Sequence, residues 1–244
     1  MRAVIVGGGM GGLMTALALR QSEAFSSVDV YEQTKEPSTA GAGLNIAPNG
    51  ARLCQWLGAD LDGGDPKGPD GAIDGGRAAI LKSSRVFHED GTMTERPFDH
   101  NTAANDNAGY HHMHRLDLLM CLHKRVMDFG PDSGQACPIT VHMGSRLTEL
   151  QQTEHEVTAT FSNGKVAVGD VLVGADGINS MTLQLAWPNP RPKRWTWVTC
   201  FRGLIPREDV KALRKSDGSP LDYNPIDSFS MDRHKVDAGG VVTY

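Results

Sequence analysis

Ala3-Val-Ile-Val-Gly-Gly-Gly-Met-Gly-Gly12 stands at the start of the chain, and its reading decides the fold. Ala3 to Val6 is a short apolar run rich in β-branched residues, the pattern of a buried parallel strand. Glycines follow at once, and Leu13 to Arg20 is then helix-forming, with Leu13, Ala16, Leu17 and Leu19 available to one face. Ser27-Val-Asp-Val-Tyr31 reads as a second strand with Glu32 at its end. The glycines fit G-x-G-x-x-G as Gly7, Gly9 and Gly12, and Glu32 lies twenty residues past the last of them. Strand, glycine turn, helix, strand and acid, in that order, make a dinucleotide-binding βαβ unit.

Each residue type in this unit has a physical task. Gly7 permits the tight turn out of the strand, Gly9 lets a pyrophosphate approach the backbone, and Gly12 lets helix and strand pack closely. The helix N-terminus offers free N–H groups and a partial positive charge to phosphates. Glu32 can accept hydrogen bonds from the ribose hydroxyls of an adenosine, and its charge disfavours a 2′-phosphate at the same place.

Length and composition bound the rest. A chain of 244 residues holds one large domain or two modest ones with an ample core. The net charge of −5 gives no footprint for nucleic acid or an acidic membrane surface. No apolar run approaches the roughly twenty residues of a membrane span, and the N-terminal apolar run lacks a signal-peptide pattern. Cys54, Cys121, Cys137 and Cys200 are scattered, with no C-x-x-C pair, so they read as reduced structural thiols in a cytoplasmic setting. His111-His-Met-His114 has no carboxylate or cysteine at ligand spacing and reads as a strand with alternating faces, so no metal is expected.

Along the chain, residues 37–43 read as a loop, and Ala51 to Leu57 as a short helix with Pro48 in its first turn, Asn45 or Asn49 as cap and Gly58 as stop. Residues 60–76 are dominated by glycine, proline and aspartate and read as a flexible loop. Residues 78–87 read as one strand, with a second near 92–98. Leu116 to Val126 reads as a helix, Pro138 to His142 as a strand, and residues 145–161 as a strand pair followed by a turn at Asn163-Gly164. Val171-Leu-Val173 is a buried strand running into Gly174-Ala-Asp-Gly-Ile-Asn-Ser180. Trp195 to Phe201 and Val241 to Tyr244 also read as strands.

Three stretches extend the opening unit: Gly41-Ala-Gly-Leu-Asn-Ile-Ala-Pro-Asn-Gly-Ala-Arg52, His114-Arg-Leu-Asp-Leu-Leu119 and Asp170-Val-Leu-Val-Gly-Ala-Asp-Gly-Ile-Asn-Ser180. In that order, they resemble the FAD-dependent aromatic-ring monooxygenases, the single-component, salicylate hydroxylase-like class. The resemblance implies an α/β fold. A Rossmann-like FAD-binding domain with a parallel sheet would span residues 1–190, with the loop at 60–76 and a hairpin-like insertion at about 77–109. The start of a mixed β-sheet substrate domain, incomplete, would span residues 191–244. It implies that Gly7, Gly9, Gly12 and Glu32 hold the ADP half of FAD, that Gly43 lies beside the flavin, and that Arg115 approaches its phosphate and ribityl portion. Asp176 would cap backbone N–H groups near the pyrophosphate, and Arg202 would face the reaction pocket as the catalytic candidate. The activity implied is hydroxylation of a small aromatic substrate with O₂ and with NADH or NADPH as reductant.

Two departures from the family stand out. Its second flavin motif, Gly-Asp-Ala-Ala-His followed by proline, does not occur before Tyr244, so the chain reads as C-terminally truncated. This leaves an alternative: a catalytically incompetent fragment with weak or no FAD binding, self-associating through an exposed sheet edge. The third motif normally continues from its serine to a basic residue, whereas Ser180 here leads into Met181-Thr-Leu-Gln184. A third reading, an NAD-dependent reductase, lacks a catalytic Tyr-x-x-x-Lys.

Overall fold

The computed structural model describes residues 1–37, 43–59, 61, 78–88, 92–98, 108–190, 192–194, 209, 212, 214, 217–219, 228–233 and 240–243. In chain order the elements are β1 (Arg2–Val6), α1 (Met10–Gln21), β2 (Ser27–Tyr31), β3 (Gly43–Ile46), α2 (Pro48–Trp56), β4 (Ala79–Ile80), β5 (Ser83–Phe87), β6 (Met93–Pro97), β7 (His111–His114) and α3 (Arg115–Met127). They continue as β8 (Ile139–His142), β9 (Leu147–Gln152), β10 (Val157–Phe161), β11 (Val166–Gly169), β12 (Val171–Gly174), α4 (Met181–Ala186), β13 (Ser228–Arg233) and β14 (Gly240–Thr243). They fall into two units: Met1–Ala40, Cys54–Gly76 and Leu116–Thr196 form the first, and Gly41–Leu53, Arg77–Arg115 and Trp197–Tyr244 the second.

The first unit is built on a four-stranded parallel sheet of order β12-β1-β2-β8. Its central strand alternates. Ala3 and Ile5 point to one face and Val4 and Val6 to the other, and all four are buried. α1 packs on β1 and β2 through Leu13, Ala16 and Leu17, the 3–4 spacing of an apolar stripe. The other face is covered by an antiparallel meander of order β11-β10-β9, whose Leu147, Ala159, Phe161 and Ala167 form one core with Val4, Val6 and Tyr31. β10 and β11 join at the Asn163-Gly164 turn, where the Asn163 side chain accepts from the Lys165 amide at 3.1 Å.

The second unit holds two sheets by itself. One is antiparallel, of order β3-β7-β4, and the other is mixed, of order β14-β13-β5-β6, with β13 parallel to β5.

Several readings of the sequence are corrected in detail. Residues 78–87 are not one strand: β4 pairs with β7 and β5 with β6 and β13, in different sheets. The break falls at Leu81, which is buried and whose amide donates to the Tyr110 carbonyl at 2.9 Å, pulling the chain from one sheet to the next. Asn45 caps no helix. It lies in β3 and pairs with His112, its Oδ1 2.6 Å from the ring nitrogen. The loop at 60–76 and the strand at Trp195 to Phe201 fall outside the described residues, apart from Leu61, which is buried.

Candidate functional site

β1 and β12 are neighbours in the parallel sheet, and their carboxyl ends carry the glycine turn and the Ala-Asp-Gly turn. The winding of the sheet reverses between them, since the chain steps from β1 to β2 on one side and reaches β12 on the other. That crevice is where open α/β sheets bind ligands. Gly7 leaves β1 at φ +109°, in the region that favours glycine, and a Cβ there would stand 2.4 Å from the Ala175 carbonyl oxygen. Gly12 lies in the first turn of α1, and its Cβ would stand 1.8 Å from the Gly7 carbonyl oxygen. A Cβ at Gly9 would meet nothing within 4 Å. Gly9 is the N-cap of α1 and supplies no capping side chain, so the first-turn amides keep no intrahelical acceptor. Two glycines therefore close the turn, and the third leaves a cradle above a helix N-terminus, the local chemistry of an anion site.

Glu32 ends β2 and is held from both sides. Its amide donates to the His142 carbonyl at 2.9 Å, and its own carbonyl accepts from Ser145 at 2.7 Å. Oε2 accepts from the Gly8 amide at 2.7 Å, and Oε1 accepts from the Thr34 amide and hydroxyl at 2.8 and 2.9 Å. A carboxylate offers about four acceptor positions. Three are taken among the described residues, and one remains open on Oε2.

Asp176 closes the other side. Oδ1 accepts from the Ser180 hydroxyl at 2.6 Å, while Oδ2 accepts from the Met181 amide at 2.7 Å and from the Thr182 amide and hydroxyl at 2.9 and 3.1 Å. Ser180 in turn caps α4, accepting from the Leu183 amide at 2.9 Å. Burial alone would raise the Asp176 pKa, but the hydrogen bonds from Ser180 and Thr182 outweigh it and hold the carboxyl below its ordinary range. The basic residue missing after Ser180 is thus replaced, as an anchor for Asp176, by hydroxyls and amides.

These groups line a cleft of about 500 Å³ drawn wholly from the first unit. Val6, Tyr31, Leu147 and Met181 supply its apolar wall. Tyr31 is stacked between His142 and Phe161, with centroids 4.4 and 4.1 Å away. Burial, with the Asp29 charge second, pushes its phenol up to about 12, so the hydroxyl stays protonated. His142 Nε2 lies 2.8 Å from Asp29 Oδ1, and Lys165 Nζ donates to Nδ1 at 3.1 Å, which fixes the ring behind Tyr31.

The remaining sequence candidates lie elsewhere. Gly43 opens β3 opposite His114, and Arg115 is the first residue of α3, both in the second unit. Arg202 falls outside the described residues. In β7, His111 and Met113 are buried and His112 and His114 half-buried, in alternation. Among the described residues no group of three or more His, Cys, Asp or Glu could hold a metal ion. Cys54, Cys121 and Cys137 are buried and form no disulfide, and burial, with Cys121 second, pushes Cys54 up to about 11.

Sequence reasoning missed Gly8, Thr34, Ser145 and Arg146. Gly8 and Thr34 flank residues already singled out and could have been named as donors to Glu32. Ser145 and Arg146 carry no motif and reach the cleft only because β8 lies next to β2.

Comparison with known proteins bears on the fold and on the relatives of the chain. Residues 5–54 match the family described as an NAD(P)-binding Rossmann-like domain. An FAD-dependent monooxygenase of Aspergillus candidus is 28% identical over 217 residues, covering 86% of this chain and 45% of that protein. A 6-hydroxynicotinate 3-monooxygenase of Pseudomonas fluorescens is 26% identical, covering 86% of this chain and 49% of the relative. An FAD-dependent urate hydroxylase of Klebsiella pneumoniae is 28% identical, covering 87% and 50%. The chain spans about half the length of the curated relatives it matches. Among solved structures, the 2,6-dihydroxypyridine-3-hydroxylase of Arthrobacter nicotinovorans shares the fold with a TM-score of 0.53 at 23% identity, over 76% of this chain and 39% of that one. By sequence the chain is a partial-length relative of FAD-dependent aromatic hydroxylases and monooxygenases, and its architecture is α/β with a Rossmann-like nucleotide domain.

Proposed function

We propose that the chain binds FAD through the cleft of the first unit and serves NAD(P)H-driven hydroxylation of a small aromatic compound by O₂. The observation that carries the reading is the pair of glycines at the helix start: Gly12 has no room for a side chain, while Gly9 has open space above unpaired amides. Gly11 is equally clear, but only Gly9 of the two lines the cleft, so its open space lies where a ligand would sit. The residues fit the adenosine diphosphate half of FAD. The α1 amides would take the diphosphate, Glu32 Oε2 a ribose hydroxyl, and the apolar wall the rest of the nucleoside.

Bound FAD, reduced by a nicotinamide, would supply the redox and oxygen chemistry. The chain's own part is to bind and orient. Gly8 and Thr34 hold the Glu32 carboxylate in place, and Asp176, ionised by its hydrogen bonds, fixes the start of α4 at the edge of the cleft. The assignments of Gly43 and Arg115 to the flavin, and of Arg202 to the substrate, rest on the family resemblance alone.

The test is an FAD titration of the purified chain, read by visible absorption and flavin fluorescence, followed by NADH and NADPH oxidation with a panel of aromatic acids. A stoichiometric flavin band with substrate-stimulated oxidation supports the reading. Flavin binding without any stimulated oxidation would leave the nucleotide site and remove the hydroxylase. Failure to bind FAD or ADP would remove both.

A further inference from the structure

Among the described residues lining the cleft, three side chains carry charge: Glu32, Arg146 and Asp176. Both carboxylates are engaged by Gly8, Thr34, Ser180, Met181 and Thr182. Arg146 differs. It is exposed, and its guanidinium has no hydrogen-bond or ion-pair partner among the described residues. Its backbone, by contrast, is fixed. Gly144 donates to the Thr34 carbonyl at 2.8 Å, Ser145 donates to the Glu32 carbonyl at 2.7 Å, and Leu147 is buried against the core that contains Val4, Val6 and Tyr31. A side chain with no partner thus stands on a backbone tied to the Glu32–Thr34 turn.

The position decides what the guanidinium meets. A ribose carries its phosphate at C5′ and its base at C1′, at opposite ends of the ring. With the diphosphate on the α1 amides and a hydroxyl on Glu32, the base lies past Glu32, on the side of residues 145–147. The helix start supplies amide donors to the diphosphate at one end of the ribose, so a cation at residues 145–147 stands at the other end, where it would meet the π-system of the base. Arg is the residue suited to this, because its planar, weakly hydrated guanidinium stacks on aromatic faces.

We propose that Arg146 lays its guanidinium over the adenine ring of the bound dinucleotide and sets the cleft's selectivity for an adenine base. The proposal rests on the dinucleotide reading of the cleft. Its signature is a contribution that belongs to the base and not to the phosphates.

The experiment uses the full chain and its Arg146→Ala, Arg146→Lys, Arg146→Tyr and Gly9→Leu variants, with ADP, AMP and UDP as probes by calorimetry at low and high salt. Melting temperatures confirm that the exposed Arg146 variants fold. Arg146→Ala should weaken ADP and AMP by the same factor, about 5- to 30-fold, at both salt concentrations, and UDP by less. Arg146→Tyr, which keeps a flat face without charge, should bind ADP better than Arg146→Lys, which keeps charge without the face. A loss that is larger for ADP than for AMP and disappears in high salt would overturn the proposal in favour of a phosphate counter-ion. ADP binding that is abolished by Gly9→Leu and untouched by Arg146→Ala would overturn it while leaving the dinucleotide reading intact. A wild-type chain that binds none of the three nucleotides would overturn both.

Discussion

Gly9 and Gly12 stand three positions apart and meet opposite surroundings, which makes them a matched pair for experiment. A methyl at Gly12 cannot clear the Gly7 carbonyl oxygen without moving backbone. Gly12→Ala should therefore lower stability by about 3 kcal/mol or more, measured by denaturant unfolding. Gly9→Ala should cost about 1 kcal/mol or less, the penalty of alanine as an N-cap, since its backbone lies at φ −74° and its Cβ direction is empty. It should nonetheless weaken ADP binding, because the methyl takes the room above the helix amides. Equal behaviour of the two variants would contradict the division between a packing glycine and a cradle glycine. Asp176 gives a second test at this scale. Its folded-state pKa is depressed, so its contribution to stability is complete above the ordinary carboxyl value of 3.8 and is lost as the pH falls through the folded-state value. Asp176→Asn should lower stability at neutral pH and flatten the acid limb of the pH–stability curve. An unchanged acid limb in that variant would show that Asp176 is not hydrogen-bonded in this way.

At the scale of elements, the parallel sheet depends on the meander that covers it. Phe161 of β10 is fully buried and stacks on Tyr31 of β2 with the rings 9° from parallel. Phe161→Ala should cost about 3–5 kcal/mol in chemical denaturation, and it should also weaken nucleotide binding by freeing Tyr31 in the cleft wall. A cost below about 1 kcal/mol would mean that the meander does not pack on the sheet as described. Elements of this kind were partly legible in the sequence. β1, α1, β2, β8 and β12 announce themselves because local patterning, glycine and β-branched residues all agree within a few residues. The glycine and Ala-Asp-Gly motifs were legible for the same reason, being contiguous. What was hidden is non-local. Nothing in residues 78–87 says that the strand breaks at Leu81, because the cause is the Tyr110 carbonyl, nearly thirty residues away. The parallel pairing of β13 with β5 joins segments separated by more than a hundred residues and has no local signal. Arg146 lies in an unremarkable turn, and only the adjacency of β8 and β2 brings it to Glu32.

At the scale of the whole molecule, the described cleft draws all its lining residues from the first unit, while the second unit has its own two sheets. Ligand binding stabilises whatever folds together with the site, by RT ln(1 + [L]/Kd), or about 2.7 kcal/mol at a hundredfold excess over Kd. Hydrogen exchange of the full chain with and without ADP reads where that energy goes. Amides of β1, β2, β8 and β12 should slow by up to about 100-fold where they exchange through unfolding of the first unit. Amides of β5, β6, β13 and β14 share no strand pairing with that sheet and should keep their rates if the two units open separately. Slowing of equal size in both sets would show that the units unfold as one. Slowing confined to the second set would place the adenine nucleotide away from the glycine turn and would sink the reading of the cleft itself.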